Sequence, residues 1–220
     1  VAAQDPIVPH LSHRERIYLF PWFPEESPPE YVVLDREMKT YPVKTPTYRT
    51  LFYDVLAGTE YEIDYQIGSL YIFRNGGNVS PERKSGERWG EVLTLMGYSV
   101  ALAPPGEAFA PLSSALPAGS TMRVSLFWRV DETADRNYTV FVHALSGDGQ
   151  LLAQHDSWPA DAHRPTSVLP SETVFRDVHY LTLPQGASGE VTLRVGLYDE
   201  EGTRLSTEEG RDFAILSPGN

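Results

Sequence analysis

T-M-R-V-S-L-F-W-R-V, the stretch from Thr121 to Val130, alternates apolar side chains with other residues over much of its length. Positions 122, 124, 126, 128 and 130 are all apolar, which is the period of a strand with one face in a core. V-T-L-R-V-G-L-Y-D, from Val191 to Asp199, repeats the pattern. The sequence therefore predicts long strands in a sheet that buries one of its faces.

Other segments between residues 88 and 220 also have strand character, and helical periodicity is missing there. They are Glu91–Met96, Tyr98–Ala103, Tyr138–Ser146, Gln150–Trp158, Thr173–Leu183 and Arg211–Leu216. About eight strands over roughly 130 residues, separated by glycine-bearing turns, predict an antiparallel β-sandwich in residues 88–220. Its topology is expected to be either jelly-roll or immunoglobulin-like.

Residues 1–75 have a different pattern, which predicts a small α/β domain. A helix is expected over Pro46–Ala57, with Thr45 as its N-cap and an apolar stripe along one face. Apolar runs at Ile17–Phe20 and Tyr31–Asp35 predict buried strands, and the first of them is expected inside the sheet.

Both ends of this domain have distinctive sequences. Val1–Ala3 has the character of the last residues of a strand, so the domain is expected to be truncated at its N terminus. The segment 76–87 is polar, charged and glycine-bearing, and we expect it to be a linker to the sandwich.

The composition excludes several classes of function. The sequence has 30 Asp and Glu against 18 Lys and Arg, and the formal net charge of -12 argues against nucleic acid as a partner. Cysteine is absent, which excludes disulfides and thiol chemistry. Phosphate-binding loops, serine-hydrolase elbows and HExxH zinc motifs are missing too. The sequence therefore supplies no catalytic signature.

P-H-L-S-H-R-E-R-I-Y-L-F-P, which begins at position 9, crowds titratable side chains beside an apolar run. A helix over residues 11–16 would place His10 and His13 on one face. With a carboxylate from Asp5 or Glu15, they would form a zinc site with an open position. This interpretation predicts a metal-dependent hydrolase.

Two other interpretations of the same segment stay open. In one, the histidines pack the short helix while Arg14 and Arg16 pair with Asp35 or Glu37. In the other, the two histidines and two arginines form a surface that faces a membrane-embedded part of the same protein, or the phosphate of a lipid-linked sugar.

Two further groups are candidates for ligand binding. Trp22 and Phe23, bracketed by prolines, are expected to stack on a sugar, sit at a bilayer interface or pack between the domains. Asp199, Glu200 and Glu201 are three consecutive carboxylates, which either bind calcium or belong to a turn.

The histidines of the sandwich are scattered along the sequence. His143, within V-F-V-H-A-L, is expected to be a hydrogen-bonded core residue. His155 and His163 each have an aspartate nearby in sequence, and they converge only if a loop brings them together. His179 stands apart from all of them.

A-A-Q-D-P-I-V-P-H-L-S-H-R-E-R-I-Y-L-F-P, followed by Y-V-V-L-D, resembles the end of a large family of predicted bacterial membrane proteins with many transmembrane helices. That family resembles integral-membrane glycosyltransferases that take sugars from lipid-phosphate donors. The resemblance covers residues 1–75 and implies an extracytoplasmic region, tethered to a bacterial membrane through upstream helices. The catalytic acids of such enzymes lie in loops near those helices, so the resemblance assigns no catalytic residue here.

W-G-E-V-L-T-L-M-G-Y, R-P-T-S-V-L-P-S-E-T-V and V-T-L-R-V-G-L-Y-D-E-E-G-T-R-L resemble β-sandwich modules at the C-termini of bacterial membrane glycosyltransferases. This second resemblance covers residues 88–217. Val168 and Ser171 depart from its pattern, which has an aromatic residue and a glycine at these positions. This resemblance implies that the module is associated with a membrane glycosyltransferase, and it implies no reaction for the module itself.

The sequence thus predicts a non-catalytic extracytoplasmic region that recognises a glycan or lipid-linked substrate, or docks onto its membrane-embedded parent. The alternatives are a metal-dependent hydrolase, a carboxylate glycosidase on the sandwich, and a purely structural spacer. No cofactor is expected unless the turn acids bind calcium. The candidate ligand or docking residues are His10, His13, Arg14, Arg16, Asp35, Trp22 and Phe23.

Overall fold

The computed structural model of the protein describes residues 1–11, 13–76, 79–112, 117, 119–187 and 189–218. The chain packs as two compact units, Val1–Val79 and Ser80–Asn220. Within the described residues, no helix has the length and hydropathy needed to cross a bilayer. Among the described residues, the first unit combines one sheet with one α-helix, and the second is built from two sheets.

The part of the first unit that the structure describes is a mixed five-stranded sheet with one α-helix. In chain order its elements are β1 (Ala2–Ala3), β2 (Tyr18–Leu19), β3 (Tyr31–Asp35), α1 (Thr45–Ala57), β4 (Tyr61–Ile67) and β5 (Leu70–Asn75). The strand order is β2-β1-β3-β5-β4, in which β1 runs parallel to both of its neighbours. The β3–β5 and β5–β4 pairs are antiparallel.

Helix α1 packs through aromatic rings. The ring of Phe52 lies 5.2 Å from that of Tyr71 and 6.2 Å from that of Phe73, both on β5. The N-cap is Lys44, without a side-chain capping bond, so Thr45 is the first helical residue and not the predicted cap. The aromatic contacts, rather than a cap, stabilise this helix.

Strand β2 is an edge strand, so the prediction of an interior strand at this position is wrong. Ala2–Ala3 lies between β2 and β3 and takes the hydrogen bonds of the inner edge of β2. The N–H of Tyr18 donates to the carbonyl oxygen of Val1 over 2.9 Å, and the N–H of Phe20 donates to that of Ala3 over 2.8 Å.

The α-helix predicted over residues 11–16 does not form among the described residues. The local helical element is a single turn of 3-10 helix, Val8–Leu11. A segment this short makes too few hydrogen bonds to offset the cost of nucleating an α-helix. None of its residues is buried, so packing does not compensate.

The second unit consists of short and long strands in two sheets. In chain order they are β6 (Arg83–Lys84), β7 (Arg88–Trp89), β8 (Leu93–Ala103), β9 (Ala110–Pro111), β10 (Thr121–Val130), β11 (Thr139–Ser146), β12 (Leu151–Ser157), β13 (Val174–Thr182), β14 (Val191–Tyr198), β15 (Arg204–Leu205) and β16 (Ala214–Leu216). A 3-10 helix, Thr166–Val168, lies between β12 and β13. Strand β6 falls inside the segment that the sequence marks as a linker.

The order of the strands defines the sandwich. One sheet has the order β13-β10-β8-β6, with β7 and β9 also paired to β8. The other has the order β12-β11-β14-β15, with β16 also paired to β14. Of the six long strands that the described residues form, the first, second and fifth share one sheet and the others share the second, which is an immunoglobulin-like division. The prediction of an antiparallel β-sandwich is confirmed.

The core lies between the two sheets of the sandwich. The fully buried rings of Trp89 and Trp128 meet edge to face at 5.5 Å, and inward side chains from both sheets surround them. The alternation that predicted strand Thr121–Val130 is confirmed, since every second residue from Met122 is buried in this core.

Strand β8 is continuous, although the sequence predicts two strands separated at Gly97. The register against β10 shifts at this glycine, between Phe127 and Trp128. A Cβ atom at position 97 would lie 2.2 Å from the carbonyl oxygen of Arg83 on β6. Glycine is therefore required here by the close approach of a neighbouring strand, rather than by a turn.

Candidate functional site

The second sheet of the sandwich presents a cluster of aromatic and charged side chains on the face turned away from the core. We call it the outer-face cluster, and it consists of Phe141, His143, Asp156, Tyr198 and Arg204. In strands β11 and β14, the alternate residues Val140, Val142, Val195 and Leu197 point into the core. Strand alternation therefore brings the cluster together from four neighbouring strands.

Phe141 forms the floor of this cluster and is almost fully buried. The ring centroids of His143 and Tyr198 lie 4.8 Å and 6.3 Å from its own, and the Arg204 guanidinium carbon lies 4.9 Å from it. A Cβ atom at Gly196 would lie 2.5 Å from this ring. The glycine thus lets the edge of the aromatic ring approach the backbone of β14 closely.

Asp156 is the carboxylate of the cluster. Its Oδ2 accepts a hydrogen bond from the Tyr198 hydroxyl over 3.2 Å, and its Oδ1 lies 3.4 Å from Nε2 of His143. Burial and the charge of Asp156 raise the pKa of Tyr198, so its hydroxyl stays protonated and serves as a donor. The cluster therefore combines an acceptor, a hydroxyl and a guanidinium around aromatic rings.

A second polar arrangement lies on the inward side of the sandwich. His155 of β12 and His179 of β13 face each other from different sheets, with their Nδ1 atoms 2.8 Å apart. Nε2 of His179 lies 2.8 Å from Oδ2 of Asp177, and both of these side chains are fully buried. Three titratable groups thus form a hydrogen-bonded chain that ends at the half-buried His155.

A left-handed turn lies against this chain. Ala160, Asp161 and Ala162 have φ of 54°, 52° and 65°, and none of them is glycine. The N–H of Ala160 donates to Oδ1 of Asp177 over 2.9 Å, which fixes the buried end of the turn. Each left-handed residue costs on the order of 1–2 kcal/mol, so the hydrogen bond to the buried carboxylate helps to hold an unfavourable conformation.

The residues of the predicted zinc site lie on the surface of the first unit. His10 lies within the 3-10 turn, and His13, Arg14 and Arg16 are exposed beyond it. Among the described residues, no three His, Asp or Glu side chains converge as metal ligands. The structure brings His10 and His13 into no such group.

Asp35, Trp22 and Phe23 are separate features of the first unit. Oδ1 of Asp35 accepts the backbone N–H groups of Glu37 and Met38 at 2.8 Å and 3.2 Å, so this carboxylate caps the turn after β3. Trp22 is 56% exposed in the loop after β2, and Phe23 beside it is half-buried.

The candidate calcium ligands belong to the turn after β14. Oδ1 of Asp199 accepts the N–H groups of Glu201 and Thr203, and its other oxygen lies 3.6 Å from Arg136. Glu200 and Glu201 are exposed. The turn interpretation accounts for Asp199 without a cation.

Sequence reasoning missed both polar arrangements of the sandwich. His143 points outward, although it was expected in the core, and the alternation of V-F-V-H-A-L contains the signal for this. The contact between His155 and His179 spans 24 positions and two sheets, so no local pattern announces it. Val168, at the position where the resemblance expects an aromatic residue, is 67% exposed.

The chain is similar in structure to the C-terminal domain of Wzt, with a TM-score of 0.39 and 17% identity over 63% of this chain and 81% of that one. It is also similar to the C-terminal globular domain of an oligosaccharyltransferase from Pyrococcus abyssi, with a TM-score of 0.22 and 11% identity. That match covers 76% of this chain and 33% of the other. No family model and no curated protein sequence matches the chain.

Proposed function

We propose that the sandwich is a non-catalytic binding module for a glycan and that the outer-face cluster is its binding site. The observation that carries the proposal is the packing of Tyr198 and Arg204 against the buried ring of Phe141, with Asp156 hydrogen-bonded to Tyr198. A sugar offers apolar C–H faces and a rim of hydroxyl groups. Aromatic rings suit the first, and carboxylate and guanidinium groups suit the second.

The geometry favours binding over hydrolysis at this cluster. Glycosidases use two carboxyl groups, about 5 or 6.5–9.5 Å apart. The outer-face cluster as defined contains one carboxylate, and that group already accepts a hydrogen bond from Tyr198. The cluster also rests on regular strands, which hold their side chains in fixed positions. A preformed recognition surface fits these features better than an active site does.

The test is a glycan-binding screen with the whole chain, followed by calorimetric titration of the best ligand. We expect Tyr198→Ala and Asp156→Ala each to weaken binding at least about tenfold, as the loss of a central contact does. Tyr65→Ala is the matched control, because Tyr65 is an exposed tyrosine of the first unit. Binding that survives both cluster variants would overturn the site, and cleavage of the glycan would replace the proposal with a glycosidase.

A second candidate function concerns the first unit, which we propose docks onto a membrane-embedded part of the parent protein at the extracytoplasmic side. Trp22, Met38 and Tyr41 are exposed by 56%, 38% and 76%. They lie in the loops that follow β2 and β3, at the carboxyl ends of parallel strands. Exposed large apolar side chains in loops at the same end of a sheet favour a contact surface.

This docking surface is testable by site-specific photo-crosslinking in membranes containing the full parent protein. A photoreactive side chain at position 22 or 41 is expected to yield a crosslink within the membrane-embedded part. The same group at position 65, on β4, is the control and is expected to yield none. Equal crosslinking from all three positions, or from none, would contradict docking through these loops.

A further inference from the structure

The contact between His155 and His179 joins two sheet edges. Strand β12 is the edge of one sheet and pairs with β11, while β13 is the edge of the other and pairs with β10. No backbone ladder links β12 to β13 within the described residues. The two rings meet at 5.0 Å between centroids, with their planes at 74°. A side-chain contact thus ties β12 to the opposite sheet.

The acceptor atoms in the hydrogen-bonded series Asp177, His179 and His155 determine where the protons lie. An ionised Asp177 only accepts, so His179 carries a proton on Nε2 and donates it to Oδ2. Nδ1 of neutral His179 is then an acceptor, and Nδ1–H of His155 is the donor of the 2.8 Å hydrogen bond. These contacts are all satisfied while both rings are neutral.

The contact holds only while at least one of the two Nδ1 atoms carries no proton. If both rings were fully protonated, two N–H groups would face each other over 2.8 Å and two positive charges would lie side by side. A proton added to His155 also places a charge beside the fully buried ring of His179. Burial and His179 lower the pKa of His155, and they outweigh Asp161 of the left-handed turn, Asp177 of β13 and Asp156 of its own strand, which raise it. Acidification therefore favours a conformation in which the His155 imidazolium reaches water.

The position of His155 is coupled to the outer-face cluster through its own strand. Neighbouring residues of a strand point to opposite faces, so His155 points inward where Asp156 points outward. Asp156 contacts His143 and Tyr198 on that face. A shift of the edge strand therefore moves the carboxylate of the proposed ligand site.

We propose that the hydrogen bond between His155 and His179 is a pH-sensitive latch, which holds β12 and thereby Asp156 in place and releases them on acidification. The latch regulates the outer-face cluster, so its effect on ligand binding rests on the proposed function. The release of β12 itself does not depend on the proposed function. A glycan bound at neutral pH is expected to dissociate when the compartment becomes acidic.

Amide hydrogen exchange of the whole chain at pH 7.5 and 5.5, corrected for intrinsic rates, tests the latch without any ligand. The protection of Leu151–Ser157 is expected to fall by up to about tenfold at the lower pH, because pH 5.5 lies about one unit below the ordinary histidine pKa that the released ring would have. Protection of β10 is expected to stay unchanged. His155→Gln removes the titrating ring and is expected to abolish the pH dependence, while His10→Gln, at an exposed histidine of the first unit, keeps it.

Unchanged protection of β12 in the natural chain, or an equal fall in His155→Gln, would overturn the latch. If that variant does not fold, nitrogen NMR of the natural chain decides instead. The latch requires a proton on Nδ1 of His155. It also requires this ring to titrate over the same pH range in which β12 loses its protection from exchange. Glycan titration at both pH values then tests regulation. If the protein binds no glycan, the proposed function is refuted, and the hydrogen-exchange result alone tests the latch.

Discussion

Two pairs of histidines in this protein have opposite relations between sequence and space. His10 and His13 are three positions apart, yet both are exposed and they join no group of metal ligands. His155 and His179 are 24 positions apart, yet their Nδ1 atoms lie within 2.8 Å. The second pair is backed by a buried carboxylate, whereas the first has His10 in a short 3-10 turn and His13 just after it.

The difference shows what makes neighbouring residues a site. Proximity in the chain helps only when a regular element holds the side chains in one direction, and a single 3-10 turn does not extend that far. Packed sheets fix the directions of side chains over long sequence separations, as they do for His155 and His179. Three experiments compare these two pairs directly.

The largest effect is expected from His179→Ala. This change leaves Asp177 and His155 without their buried partner, and breaking a buried polar pair in this way costs about 3–5 kcal/mol of unfolding free energy. Urea unfolding followed by tryptophan fluorescence measures it. His10→Ala is the control and is expected to change the value by less than about 0.5 kcal/mol, as an exposed substitution does. Similar losses in both variants would contradict the distinction between the pairs.

A smaller effect is expected from pH. The pKa of His155 is lowered in the folded state, so below the unfolded value near 6.5 the unfolded chain binds the extra proton more readily. The contribution of this group to stability is therefore present above that pH and lost as the pH falls below it. The urea midpoint, measured from pH 7.5 to 5.0, is expected to fall less in His155→Gln than in the natural chain. A steeper fall in that variant would contradict the lowered pKa of His155 in the folded state.

The smallest effect is expected from zinc. Because His10 and His13 have no third converging ligand among the described residues, micromolar zinc is expected to leave the unfolding midpoint unchanged. The double variant H10A/H13A should behave in the same way as the natural chain. A midpoint that rises with zinc in the natural chain and not in the double variant would restore the metal site that the sequence suggests.

Much of the sandwich could be predicted from the sequence because its long strands bury one face. Thr121–Val130 alternates as a half-buried strand must, and its predicted bounds match those of β10. Gly97 misled the prediction of β8, because a glycine required by the nearby carbonyl of Arg83 looks the same in sequence as a turn. Two-residue strands such as β6 are too short to have a period at all.

The candidate site was less predictable, for a physical reason. Outward direction can be read from alternation, so His143 and Asp156 were accessible to sequence reasoning one strand at a time. Which strands become neighbours depends on topology, and Arg204 reaches Phe141 only because β15 pairs with β14 and β14 with β11. In the first unit, β2 was misplaced because the strand character of Ala2–Ala3 could be read from the sequence but its position between β2 and β3 could not.

The polar groups of β12 and β13 also bear on self-association. An open sheet edge is a template for pairing with another chain, and inward-pointing polar or charged side chains on edge strands oppose such growth. Asp177 and His179 point inward from β13, and His155 does so from β12. An incoming strand that displaced β12 would have to separate His155 from the fully buried His179. These inward-pointing residues are therefore expected to oppose edge-to-edge pairing of the sandwich.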